Sequence, residues 1–132
     1  MSRTIKLSVQ LNAAPEKLYN AWLNSEEHSR FTGAEAVIEN KIGGEFSAWD
    51  GYIEGTTNEL YPNTKIVQAW RTTDFPDGSP DSRLEILLEP EGEMTMLTLV
   101  HSGIPEGMEK EFEHGWLDYY FEPMKNYYSN VK

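Results

Sequence analysis

Over Thr4 to Asn12, Ile5, Leu7, Val9 and Leu11 alternate with Lys6, Ser8 and Gln10, the period-two pattern of a strand with one wet face. The period then changes. Pro15 suits the first position of a helix, where no amide donor is needed, and Glu16 suits the positive end of its dipole. Leu18, Trp22 and Leu23 supply the buried stripe. Asn24 followed by Ser25, Glu26 and Glu27 reads as a new cap with first-turn acids, so a second short helix is predicted to about Phe31.

Period two returns from Glu35 onward, cut into short strands by turn signals. Glu35 to Asn40 is a strand, Lys41 to Gly44 a turn, and Glu45 to Trp49 another strand. Asp50-Gly51 is a two-residue hairpin signal that demands positive φ. Tyr52 to Tyr61 follows, with Gly55 marking a bulge or a close backbone approach. In Lys65 to Thr72, Ile66, Gln68 and Trp70 share one face. Asp74 to Asp81 is dense in Pro and Gly and reads as an exposed loop, on which Phe75 either plugs the end of the core or is presented to a partner. Arg83 to Glu89 turns Leu84, Ile86 and Leu88 inward, and Thr95 to His101 does the same with Leu97, Leu99 and His101. Ser102 to Pro105 is expected to end the sheet.

The longest amphipathic stretch is the last, Met108 to Tyr128. Phe112, Trp116, Tyr119 or Tyr120, Pro123 or Met124, and Tyr127 recur at spacings of three and four, the buried stripe of one long helix. Its other face is acidic. Pro123 removes an amide donor and should bend or loosen the last turns. Short turns imply antiparallel neighbours, so the predicted architecture is α+β: two short helices after the first strand, then about six more strands. The resulting curved antiparallel sheet of six or seven strands grips the C-terminal helix. A length of 132 residues suits one domain.

Charge and composition narrow the partners. With 22 acidic and 11 basic residues the net charge is −11, which repels phosphate backbones and anionic lipid surfaces. Nucleic acid is not expected; the acidity serves either solubility alone or a basic protein surface. There is no cysteine, so a reducing compartment is permitted. The first residues form no apolar signal segment, and no run is long and apolar enough to span a membrane. A cytoplasmic protein without a membrane span is expected.

Catalytic patterns are missing. The three histidines, His28, His101 and His114, show no metal-binding spacing, no GxSxG occurs, and the glycine pairs sit in hairpins and not in phosphate cradles. No metal, cofactor or catalytic residue is assigned, and the protein is not expected to be an enzyme. His101, in phase with Leu97 and Leu99, is expected to be a core histidine bonded to backbone or to a tyrosine hydroxyl.

Several residue blocks, taken together and in order, carry a resemblance. They are Ala14-Pro15-Glu16-Lys17-Leu18-Tyr19, Gly43-Gly44-Glu45-Phe46, Asp50-Gly51 with Gly55, and Ile66-Val67 with Trp70-Arg71. Gly103-Ile104-Pro105 and Gly115-Trp116 with Tyr119-Tyr120-Phe121-Glu122 complete the set. The chain resembles the helix-grip superfamily of START domains and the birch-pollen allergen, and within it the C-terminal domain of the heat-shock protein 90 ATPase activator. Gly115 is read as letting the helix approach the sheet closely, with Trp116 filling the concavity. That family carries a separate N-terminal domain, whereas this chain begins at the first strand of the second, so full ATPase activation is not expected to carry over.

The resemblance implies a binding or regulatory module with one of two partners. One is a chaperone of the heat-shock protein 90 type, met by Phe75 and by Glu109, Glu113, Asp118 and Glu122 on the acidic helix face. The other is an apolar small molecule, such as a lipid, sterol or flavonoid, held between sheet and helix. Trp22, Phe46, Gln68, Trp70, Leu84, Ile86, Leu99, His101, Trp116, Tyr120 and Met124 would line that cavity, unless large side chains fill it as a solid core.

Overall fold

The computed structural model describes residues 3–129. Strand β1 (Arg3–Leu11) leads into helices α1 (Pro15–Leu23) and α2 (Ser25–Thr32). Pro15 opens α1 as expected, and the Asn24 side chain caps α2 by accepting the Glu27 N–H at 2.8 Å. Six strands follow: β2 (Val37–Ile38), β3 (Glu45–Ala48), β4 (Ile53–Tyr61), β5 (Lys65–Thr72), β6 (Ser82–Glu91) and β7 (Met94–Ile104). They form one antiparallel sheet in the order β1-β7-β6-β5-β4-β3-β2, so every neighbouring pair except β1–β7 is joined by a short connection.

Register sets the concave face. Ile66 pairs with Ile86, Ile86 with Leu99 and Leu99 with Leu7, while Gln68, Leu84 and His101 form the adjoining row. Because alternate side chains point the same way, each row faces one side of the sheet, and Ile66, Leu84, Ile86 and Leu99 are at most 1% exposed. The last strand runs further than its sequence suggests: Gly103 takes φ 73° and Ile104 still pairs with Arg3, across an irregularity in β1 between Arg3 and Ile5.

Gly55 marks a close approach and not the bulge, which lies two residues on, between Thr57 and Glu59. A Cβ at Gly55 would collide with the Ala69 carbonyl oxygen and stand 2.8 Å from Phe46 Cζ. Gly55→Ala is therefore expected to cost about 2 kcal/mol through forced backbone shifts, read as a lower thermal midpoint. An unchanged midpoint would show that β4 and β5 can part freely here.

The C-terminal helix lies on the concave face, but it is not one regular helix. Helix α3 (Glu109–Trp116) passes into a π-helical turn (Leu117–Phe121) and then into α4 (Glu122–Ser129). The buried residues are Phe112, Trp116, Tyr120, Phe121, Met124 and Tyr128. A repeat of four from Phe112 to Tyr128 would drift by roughly 160° round a regular α-helix, and the one extra residue of a π turn takes back about 100°. Pro123 fits this break, since it cannot donate to the carbonyl four residues back, while the Glu122 N–H reaches Leu117 O, five back. The inserted residue also shifts the stripe, so that Tyr128 and not Tyr127 is fully buried.

Candidate functional site

The core under the helix is solid at its centre and open at one end. Leu84, Ile86, Leu99, His101 and Met124, expected to line a cavity, are at most 1% exposed and close-packed in the core. Trp22, Phe46 and Gln68 enclose, with Trp70 and Tyr120, a void of only ≈10 Å³, room for about one water. The open end is different: a cavity of ≈470 Å³ lies between the turn joining β3 to β4 and the start of the C-terminal helix. Of the expected cavity residues, Trp70, Trp116 and Tyr120 line it.

Of the rest of the wall, Phe112 and Tyr119 belong to the helix stripe read from the spacing, whereas Trp49, Tyr52 and Ile53 were not singled out. Trp49, Tyr52 and Ile53 form one side; Phe112 joins Trp116 and Tyr120 on the other; Glu111, Gly115 and Tyr119 lie along the helix margin. Gly115 thus faces open space, with no atom within 4 Å of where its Cβ would stand, and not the close helix–sheet contact expected of it. Trp49 belongs to a run of left-handed residues, Trp49, Asp50 and Gly51 at φ 52°, 57° and 91°. The Asp50-Gly51 signal foresaw positive φ at two of these. A bulky residue there is strained, and the Trp49 indole N–H is buried without a hydrogen-bond partner among the described residues. Asp50 anchors the turn by accepting the Glu35 N–H at 2.9 Å.

Two hydrogen-bonded histidines hold the helix to the rest of the core. Trp116 Nε1–H donates to His101 Nδ1 at 3.1 Å. An indole can only donate, so His101 carries its proton on Nε2 and donates to Ser82 Oγ (2.7 Å), whose hydroxyl donates to the Trp70 carbonyl (2.6 Å). His101 is therefore a satisfied core histidine, with an indole and a serine as partners in place of the expected backbone or tyrosine. The tyrosine serves His28 instead: His28 Nδ1–H donates to the Trp22 carbonyl (2.9 Å), and Tyr120 donates its hydroxyl proton to Nε2 (2.8 Å). Burial pushes His28 down to about 4 and His101 to about 3, so both are neutral at ordinary pH. Trp22 donates to Gln68 Oε1 (3.3 Å), and Gln68 in turn donates to Thr57 (3.2 Å). These polar groups are engaged with one another, and among the described residues no cluster could hold a metal ion.

Around the outside, Phe75 is 5% exposed and packs edge-on against Trp70 and beside Phe112. It plugs the core and is not presented to a partner, because the loop folds back over the end of the sheet with Arg71 stacked on the ring (5.3 Å). Glu113, Asp118 and Glu122 are exposed, as expected; Glu109 is half-buried and accepts the Gly107 N–H at 3.1 Å. Leu117 and Tyr119 flank Asp118 and are 41% and 59% exposed.

A family model described as "Activator of Hsp90 ATPase homolog 1-like protein" matches residues 12–129. The chain belongs to that family. Among curated relatives of this activator-like family, the chain is 34% identical over 121 residues to the human activator of 90 kDa heat shock protein ATPase homolog 1. That match covers 92% of this chain and 36% of the relative. It is 30% identical over 129 residues to the Dictyostelium discoideum homologue, covering 97% of this chain and 33% of that one. The chain thus spans about a third of the length of these relatives. A crystal structure of an HSP90 activator from Plasmodium falciparum has the same fold, with a TM-score of 0.86, 24% identity and 94% of each chain covered. The helix-grip, α+β class read from the sequence is the observed one, and no helix among the described residues is long and apolar enough to cross a membrane.

Proposed function

We propose that residues 1–132 act as one non-catalytic, cytoplasmic helix-grip domain that binds a chaperone of the heat-shock protein 90 type through the outer face of its C-terminal helix. The observation that supports this most is the juxtaposition of exposed Glu113, Asp118 and Glu122 with exposed Leu117 and Tyr119, in a chain whose curated relatives are activators of that chaperone's ATPase. Charges of one sign around apolar anchors steer a basic partner and leave the anchors to hold it. Titrating the chain into purified heat-shock protein 90 tests this. Binding is expected at about 50 mM salt and should weaken about fivefold or more by about 300 mM as screening grows. No binding at the lower salt would end the proposal.

A second reading is favoured by the ≈470 Å³ cavity, a volume in the range of small-molecule sites. On it the domain carries or senses an apolar small molecule at the open end of the core. Partner and ligand would then share Tyr119, which lines the cavity and is exposed at its rim, while Glu113, Asp118 and Glu122 lie outside the lining.

A further inference from the structure

The lining of the cavity selects a ligand class. Seven aromatic rings meet there: Trp49 and Tyr52 from the β3–β4 turn, Trp70 from β5, and Phe112, Trp116, Tyr119 and Tyr120 from the helix. Aromatic faces carry negative quadrupole density and attract cations. Among the described residues Glu111 is the only carboxylate in the lining, which contains no lysine, arginine or histidine. A second carboxylate stands behind the wall, where Asp74 Oδ2 accepts the Tyr52 hydroxyl proton at 2.6 Å. Burial first, then the Asp74 hydrogen bond and the negative charges of Asp74 and Glu111, push the Tyr52 phenol up to about 12.

The basic residue beside Trp70 is already engaged. Arg71, next to Trp70 in the chain, donates to Asp81 (2.8 Å) and to the Ser79 carbonyl (2.9 Å), with its guanidinium over Phe75. The wall is also built against local preference, since Trp49 holds a left-handed φ and leaves its indole N–H unpaired among the described residues. Strain and an orphaned donor together mark a place shaped for something other than stability.

We propose that this cavity binds a drug-sized organic cation, an aromatic or other ring body bearing a quaternary or protonated nitrogen, with the rings among the aromatic walls and the charge toward Glu111. The inference rests on the ligand-carrying reading above and adds its chemical selectivity. A neutral sterol would leave Glu111 and the ring faces without a counter-charge, and an anion such as a fatty-acid carboxylate would be repelled.

Tryptophan fluorescence titrations with three flat tricyclic probes at about 150 mM salt test it: N-methylacridinium, neutral N-methylacridone and anthracene carboxylate. The cation should bind one to one and at least about tenfold tighter than the neutral probe, with the anion weakest. Glu111→Gln should weaken the cation about three- to tenfold and leave the neutral probe unchanged, whereas Glu93→Gln, on the exposed β6–β7 turn away from the cavity, should change neither. Equal or tighter binding of the neutral probe overturns the charge selectivity while leaving a ligand site. Equal effects of the two substitutions would assign the attraction to net charge and overturn the proposal as well. If no probe binds, the ligand-carrying reading falls with it.

Discussion

Replacing Trp116 by alanine is expected to lower unfolding free energy by about 3–5 kcal/mol, because it deletes a nearly buried indole and extends the existing cavity into the core. Trp116 is 3% exposed, packs on Trp70 and Tyr120 with ring centroids 5.3 Å and 4.9 Å away, and donates to His101. Trp116→Phe separates the two contributions. It keeps most of the ring but leaves His101 Nδ1 buried without a donor, and should cost about 1–3 kcal/mol. Urea unfolding of both variants checks this. A loss near zero for the alanine variant would mean that the apolar face of the helix does not seal the core.

Acid is expected to have a comparable effect through the two buried histidines. Their folded-state values lie below the ordinary 6.5, at about 4 for His28 and about 3 for His101, so the unfolded chain takes up protons first. Stability is therefore fully present above about pH 6.5 and falls as pH drops toward about 4 and then about 3. Each histidine contributes a slope of about 1.4 kcal/mol per pH unit, or about 5 kcal/mol for both between about pH 6.5 and 4.5. Protonating the carboxylates of a chain with net charge −11 relieves repulsion and works the other way at the lower end. Urea midpoints at about pH 7, 6, 5 and 4.5 should fall steadily. A flat or rising series would show that the histidines are not held neutral by the core.

Strand order and the inward rows were legible because one wet face forces alternation, as in Leu84, Ile86 and Leu88 on β6 or Leu97, Leu99 and His101 on β7. The histidine partners were not, since they join residues far apart in sequence, such as His28 and Tyr120. A signal for His28 did exist: His28, Phe31 and Thr32 lie three and four apart and are the buried face of α2. The helix stripe is legible up to the π turn and lost by one residue beyond it. Strict spacing of four from Phe112 to Tyr128, with Pro123 inside, is the local clue to that insertion.

The cavity was the least legible feature. Trp49 and Tyr52 flank a recognisable turn, but whether that turn folds over the end of the sheet depends on tertiary contacts such as Trp49 against Tyr119 (5.4 Å) and Asp50 against the Glu35 backbone. The turn-rich loop likewise left Phe75 with two readings, plug or partner contact, and only tertiary packing against Trp70 and Phe112 decides for the plug. Both features lie at the open end of the core, where the chain satisfies neither local preference nor close packing, and where a functional site is most readily accommodated.

The most direct test of chaperone docking is amide hydrogen exchange across this chain, alone and mixed with heat-shock protein 90. Slowed exchange is expected in α3, the π turn and the first turn of α4, about residues 109–125, with β1 and the β6–β7 turn unchanged. Protection confined to β1 or to the β6–β7 turn, with the helix unaffected, would contradict it.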